Sequence, residues 1–367
     1  MPEYLHPGVY IEEIERGPRP IEGVPTSTAG ILGEAERGSV TPRLVTSYKD
    51  YQRWFGDVFG ADKFLPYAVN GFFENGGKRA FICRLVGDAS AVAEAAFGDF
   101  VIRAAGPGLW GTRVQVKISP GTTKKPDGSS VGFRLQLAYW EREVPGFDPF
   151  VERTTLPRPS LIEDFDDLDT NESSPDFYGK RFPFIDSSKG ETNQGPESSA
   201  LGILVRNPSA AAGSQPEEGL KVLEGGANDP AALGVDDYKG SAVPGGRAVQ
   251  GLAALELDPY RDVALVYAPF VSTEIAKAIV THCEKLRFRF AVIDSDKGKS
   301  STADLNPRDQ VKGITDSSYA GFYYPWIITS DPRTGARKMV PPGGHVLGVY
   351  ARTDTERGVF KAPANEI

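Results

Sequence analysis

The chain of 367 residues is predicted to be a mixed α/β protein, α+β overall, in which β-α-β units are interrupted by a β-rich insertion. Three changes of pattern predict this. Residues 1–96 mix short strands with amphipathic helices, residues 97–200 turn to alternating strands, and apolar strands alternate with a helical pattern after residue 251. The expected organisation is an extended N-terminal arm over 1–20, the first part of an α/β unit over 21–96, a β-rich insertion over 97–200, a connector over 201–250, and the second part of the α/β unit over 251–367.

Each element has a local reason. In residues 7–14 (PGVYIEEI) apolar Val9, Ile11 and Ile14 are interleaved with acidic residues before a run rich in Gly and Pro, the pattern of a short strand or arm. Free backbone groups on such an arm can complete a sheet in a neighbouring molecule or in its own domain. Residues 29–34 and 44–46 read as strands. Tyr48, Tyr51, Trp54 and Phe55 recur at helical spacing behind Ser47, a good N-cap. A second helix over 65–75 stops at Gly76-Gly77, and 79–86 (RAFICRLV) is a strand. Residues 113–119 and 132–140 alternate strictly around a turn containing Pro126-Asp127-Gly128, which makes a hairpin. Further on, 263–268 (VALVYA), a helix capped at Ser272 or Thr273, and 290–293 (FAVI) form a β-α-β unit with parallel strands. A strongly aromatic helix end and strand occupy 319–328, and the small-residue run at 343–351 is expected to be a helix packed closely on its neighbour.

Composition excludes several classes. A net charge of −8 and the lack of a Lys/Arg cluster argue against nucleic acid as the main partner. Cys83 and Cys283 lie in apolar stretches and read as buried free thiols. No basic start with an apolar stretch behind it, and no run near 18 apolar residues, suggests membrane insertion.

Catalytic chemistry finds little support, so no catalytic, cofactor-binding or metal-binding residue is expected. Of the three histidines, His282 is expected at a solvent-facing or boundary position and His345 at a helix start. Asp294 and Asp296 follow a parallel strand, where a cation could sit; a metal-dependent hydrolase with acidic residues at strand ends is therefore the alternative reading. Turn and cap roles explain such residues more simply. Gly298-Lys299-Ser300 ends like a P-loop, but Ile293 stands where that motif requires glycine. The acidic run 163–169 reads as a solvated loop. A third possibility makes the β-rich insertion a receptor- or glycan-binding module using aromatics such as Tyr139 and Trp140.

Four stretches together resemble the phage tail sheath family: PGVYIEE at 7–13 with GVPTSTAGILGEAERG at 23–38, PYAVNGFFENGGKRAFICR at 66–84, SSYAGFYYPW at 317–326 with Asp331-Pro332, and VPPGGHVLGVYARTDTERGVFKAPANE at 340–366. The resemblance implies a structural subunit of a contractile sheath, not an enzyme and without a cofactor, whose α/β domain carries an outward β-rich insertion. It implies other sheath subunits as partners, in hexameric rings stacked helically around an inner tail tube protein, with baseplate and tail terminator proteins at the ends. The location implied is a virion tail or injection particle assembled in the bacterial host cytoplasm. Residues Val9, Tyr10, Ile11, Glu12, Glu13 and Ile14 would be the subunit-linking arm. Such sheaths usually continue into a C-terminal tube-facing domain, so a trimmed chain that is monomeric or weakly oligomeric is expected here.

Overall fold

The computed structural model describes residues 27–151, 157–188, 190, 193–211, 213–240, 250–299 and 317–366. Its centre is a six-stranded sheet ordered β14-β13-β12-β1-β3-β2. Here β1 is Thr28–Gly33, β2 Arg43–Val45, β3 Arg79–Arg84, β12 Val263–Tyr267, β13 Phe290–Asp294 and β14 Ala320–Tyr323. All neighbours run parallel except the β2–β3 pair at one edge. Parallel strands need covering on both faces, and the run of apolar residues in β12 reflects that.

Alternation along the strands divides the two faces. Ala29 and Ile31 of β1 join Ala80 and Ile82 of β3 under helices α1 (Tyr48–Phe55) and α2 (Leu65–Glu74), together with Leu347 and Ala351 of the long helix at 343–357. Leu32, Phe81 and Cys83 point the other way, against α5 (Gly251–Leu255), α6 (Thr273–Leu286) and Tyr238 of α4 (Val235–Lys239). The caps are those the sequence predicts. Ser47 accepts from Asp50 N at 3.1 Å and Ser272 from Ile275 N at 3.4 Å.

The long helix at the C-terminal side, α7 (Gly343–Arg357), lies against α2 at close range. A Cβ on Gly344 would sit 2.4 Å from Ala68 Cα, and one on Gly348 would sit 2.5 Å from Phe72 O. Two glycines one turn apart thus let the backbones approach, as the small-residue pattern predicts.

Between β3 and β12 the chain forms two four-stranded sheets. One is β4-β5-β10-β9 (β4 Glu94–Phe97, β5 Phe100–Ala104, β9 Phe184–Asp186, β10 Gly202–Arg206); the other is β11-β6-β7-β8 (β6 Val114–Pro120, β7 Phe133–Tyr139, β8 Leu161–Leu168, β11 Gly219–Val222). The short helix α3 (Tyr178–Arg181) joins them. Both sheets bury side chains in one core, from Phe100 and Ile102 on the first to Val116 and Leu137 on the second. The expected β6–β7 hairpin is present, with Val114 opposite Tyr139. Strands β10 and β11 come from beyond residue 200, within the stretch expected as a connector, because the apolar runs GILVR and GLKV find partners in β5 and β6.

One expectation is corrected here. The acidic run after residue 163 is not a solvated loop but most of strand β8, paired to β7 with Asp164 opposite Gln136. Alternation disposes of its charges. Glu163 turns inward and accepts from Ser199 Oγ and from Ala200 N at 2.8 Å, while Asp164 turns outward to Arg134 Nε at 2.8 Å. A final two-stranded ribbon, β15 (Ile327–Ser330) with β16 (Arg337–Val340), precedes α7.

Candidate functional site

In an open α/β sheet a ligand site forms where neighbouring strands send their connections in opposite directions. Here that point is the carboxyl end of β1 and β12, since β1 leads over one face to β3 and β12 over the other to β13. Aromatic rings fill it. Phe270, just past β12, stands edge-on to Phe64 at 5.7 Å and to Trp326 at 5.1 Å, and Phe64 meets Trp326 at 5.3 Å. The Trp326 indole donates to Ser295 O at 2.7 Å, closing the gap from the β13 side. Apolar packing stands where substrate-orienting polar groups stand in enzymes of this architecture.

Asp294, at the end of β13, sits beside this plug and is committed to structure. Its Oδ2 accepts from Tyr267 Oη at 2.6 Å and from Phe270 N at 3.3 Å, and its Oδ1 accepts from Gly343 N at 2.9 Å. The last bond caps α7 with a carboxylate placed at the positive end of the helix. Burial outweighs these donors and pushes the Asp294 carboxyl up to about 6. Asp296 is exposed. Among the described residues no three His, Cys, Asp or Glu side chains converge as a metal centre requires. Gly298 and Lys299 form a turn closed by Lys299 N to Asp296 O at 3.4 Å.

His282 departs from expectation. It is buried, 5% exposed, because α6 turns it under α5. Arg289 Nη1 lies 2.8 Å from Nε2, and since a guanidinium only donates, Nε2 accepts and the ring proton is on Nδ1, 3.5 Å from Glu256 Oε1. Burial, then the Arg289 charge, lowers its pKa to about 4. Arg289 itself donates to the carbonyls of Val263, Leu255 and Tyr260 and so ties α5, β12 and α6 together. His345 lies in the first turn of α7, its Nδ1 buried and without a partner among the described residues.

A cleft of about 790 Å³ lies between the α/β layer and the sandwich. Charged groups of both signs line it. Tyr139 Oη donates to Glu36 at 2.6 Å, Arg333 Nη2 meets Glu141 at 2.5 Å, and buried Arg84 donates to Pro107 O and to Gly38 O, both at 2.9 Å. The Tyr139–Glu36, Arg333–Glu141 and Arg84–Pro107 bonds cross from one layer to the other. Close approach there also needs glycine, since a Cβ on Gly106 would meet Gly38 O at 2.2 Å.

The second half of the α/β layer, with α6, β13, β14, the ribbon and α7, is the part of the chain that matches a family model. Residues 241–366 match the phage tail sheath protein central domain. Among solved structures the chain is similar to a sheath tail protein from Listeria innocua (13% identity, 91% of this chain and 57% of that one, TM-score 0.48) and to one from Desulfitobacterium hafniense (12%, 94% and 62%, TM-score 0.45). It is also similar to the sheath of an extracellular contractile injection system in its contracted state (15%, 100% and 55%, TM-score 0.40). The chain thus spans 57% and 62% of the length of the first two sheath proteins. No curated protein matches it.

Within the matched sheath segment fall Asp294, Asp296 and His345, together with His282, and none of them is brought to another as a catalytic set. The candidate arm, Val9, Tyr10, Ile11, Glu12, Glu13 and Ile14, lies outside the described residues. Sequence reasoning also missed the buried arginines Arg37, Arg84 and Arg289, which bond backbone carbonyls. Nothing local marks them, because each carbonyl is supplied from a distant part of the chain.

Proposed function

We propose that the chain is a structural subunit of a contractile tail sheath, in a phage or a related injection particle, and that it works through contacts between copies and not through catalysis. The match of residues 241–366 to the sheath central domain carries this reading. The aromatic plug at the switch point and the consumption of Asp294 by three donors support it. In this role copies assemble as rings stacked around an inner tube, between a baseplate and a terminator, and contraction of the sleeve drives the tube through a target cell envelope.

The proposed division of labour follows the segments read from the sequence. The α/β parts, 21–96 and 251–367, build the body of the sleeve, while the β-rich insertion over 97–200, with β10 and β11 from beyond it, faces outward and the rest of 201–250 returns the chain. The arm, with Val9 to Ile14, adds a strand to a neighbouring copy. Main-chain bonds of that kind hold subunits together while side-chain surfaces slide.

Immunogold electron microscopy of tail-like particles from cells that encode the chain, with antibody raised against it, tests the assignment. Gold along the whole sleeve at a regular repeat is expected. Label confined to a head, a tip or the soluble fraction refutes it.

A further inference from the structure

The sandwich carries a second cavity that a sheath role does not use. Its volume is about 420 Å³, and its lining includes Thr170, Asn171, Tyr178, Arg206 and Ser214. It forms where the turn after β8 meets the turn after β10, and Thr170 Oγ1 donates to Gly213 O at 3.4 Å across that junction. The size lies within the roughly 300–1,000 Å³ usual for small-ligand sites.

Part of its polar lining is unspent. Tyr178 lines the cavity and its hydroxyl has no hydrogen-bond partner among the described residues, and Ser214 Oγ is buried and has none either. Arg206 uses Nη2 on the carbonyls of Ala210 and Ala211, at 3.1 and 3.3 Å, and leaves Nε and Nη1 without a partner among the described residues. Buried polar groups are normally paired, so the idle Ser214 hydroxyl, with the Tyr178 hydroxyl on the same cavity wall, asks for a ligand that pairs it.

The lining also selects the class of ligand. One guanidinium, Arg206, and one carboxylate, Glu172, leave no net charge to favour an anion or a cation. Hydroxyls both donate and accept, the Asn171 amide can donate through its NH2 while its Oδ1 accepts from Ser173 N at 3.0 Å, and the Phe177 and Tyr178 rings add an apolar wall. A neutral ring bearing several hydroxyls, polar at its rim and apolar on its face, satisfies all of these together.

We propose that this cavity binds a neutral sugar ring, as a residue of a surface glycan. Saturation-transfer NMR on the whole chain, with the methyl glycosides of glucose, galactose, N-acetylglucosamine and rhamnose at millimolar concentration, tests it. Transfer to at least one of them is expected, weakened about five- to tenfold in Tyr178→Phe and in Ser214→Ala, the loss of one neutral hydrogen bond in each. Both changes keep the packing of the wall, and thermal melts check that each variant is folded. Absence of transfer from all four sugars, transfer unchanged in both variants, or displacement of the sugar by inorganic phosphate overturns the proposal.

Discussion

Replacing Asp294 by asparagine separates a structural cap from a metal ligand. The carboxyl is raised from 3.8 to about 6, chiefly by burial. An acid whose folded pKa lies above its unfolded one takes up a proton more readily when folded, so its contribution to stability is present at low pH and is lost as the pH rises between the two values. At about 1.4 kcal/mol per pH step, that loss is about 3 kcal/mol between about pH 4 and pH 6. Asparagine does not titrate, so Asp294→Asn lacks this slope. It has only one acceptor oxygen for Tyr267, Phe270 and Gly343, which costs about 1–3 kcal/mol where the aspartate is protonated. The variant is therefore expected to be the less stable protein below about pH 4 and equal to or better than the parent near neutrality. Urea unfolding at a series of pH values, followed by circular dichroism, gives the difference curve. Parallel curves for parent and variant would refute the argument, and a rise in the parent's midpoint with added divalent cation, abolished in Asp294→Asn, would restore the metal reading.

His282 bears on the same experiment with the opposite sign. It is buried as the neutral ring with its pKa lowered from 6.5 to about 4, so its contribution is complete at high pH and is lost as the pH falls through that window, by about 3 kcal/mol. The two slopes nearly cancel in the parent, and His282→Gln should expose the Asp294 slope alone. Gly344→Ala forces a methyl to within 2.4 Å of Ala68 Cα and should destabilise by about 1–3 kcal/mol, read as a lower thermal midpoint. An unchanged midpoint would show that α7 rides away from α2 without cost. Arg84→Met strands the carbonyls of Gly38, Pro107 and Ala35 and should cost about 2–4 kcal/mol in urea, with Arg84→Lys rescuing little of it because an ammonium cannot span all three.

Much of the α/β layer was legible because its signals are local. Ser47 and Ser272 cap the helices they precede, the β12–α6–β13 unit follows from a strand, a capped helix and a strand in succession, and the glycines of α7 declare a close helix contact. The hairpin of β6 and β7 is equally local. Strand β8 was misread because charge density outweighed alternation: LIEDFDDL places Leu161, Glu163 and Phe165 on one face, and a buried glutamate becomes acceptable only once Ser199 and Ala200 arrive to bond it. His282 failed for a similar reason, since its burial depends on Arg289 and on carbonyls gathered from three other elements.

The least legible part is the junction between the two layers, and its chemistry explains why. Apolar clusters on either side stay separate: Trp110, Val114 and Leu137 belong to the sandwich, Ile31, Phe55 and Phe72 to the α/β layer. What crosses is polar and directional, namely Arg84 to Pro107, Tyr139 to Glu36, Arg333 to Glu141 and Arg43 to Glu197 at 2.9 Å. Hydrophobic periodicity reports which face of an element is buried, but a hydrogen bond between residues a hundred positions apart leaves no period to read. Such a junction fixes orientation through bond geometry while burying little apolar area, so its stability resides in a few named pairs. Of these, Arg84 is buried and bonds carbonyls on both sides, whereas the Arg333–Glu141 and Arg43–Glu197 pairs have exposed partners and are worth at most about 1 kcal/mol each. The guanidinium of Arg84, which ends β3 where the chain leaves the α/β layer, therefore carries most of the alignment between the two halves.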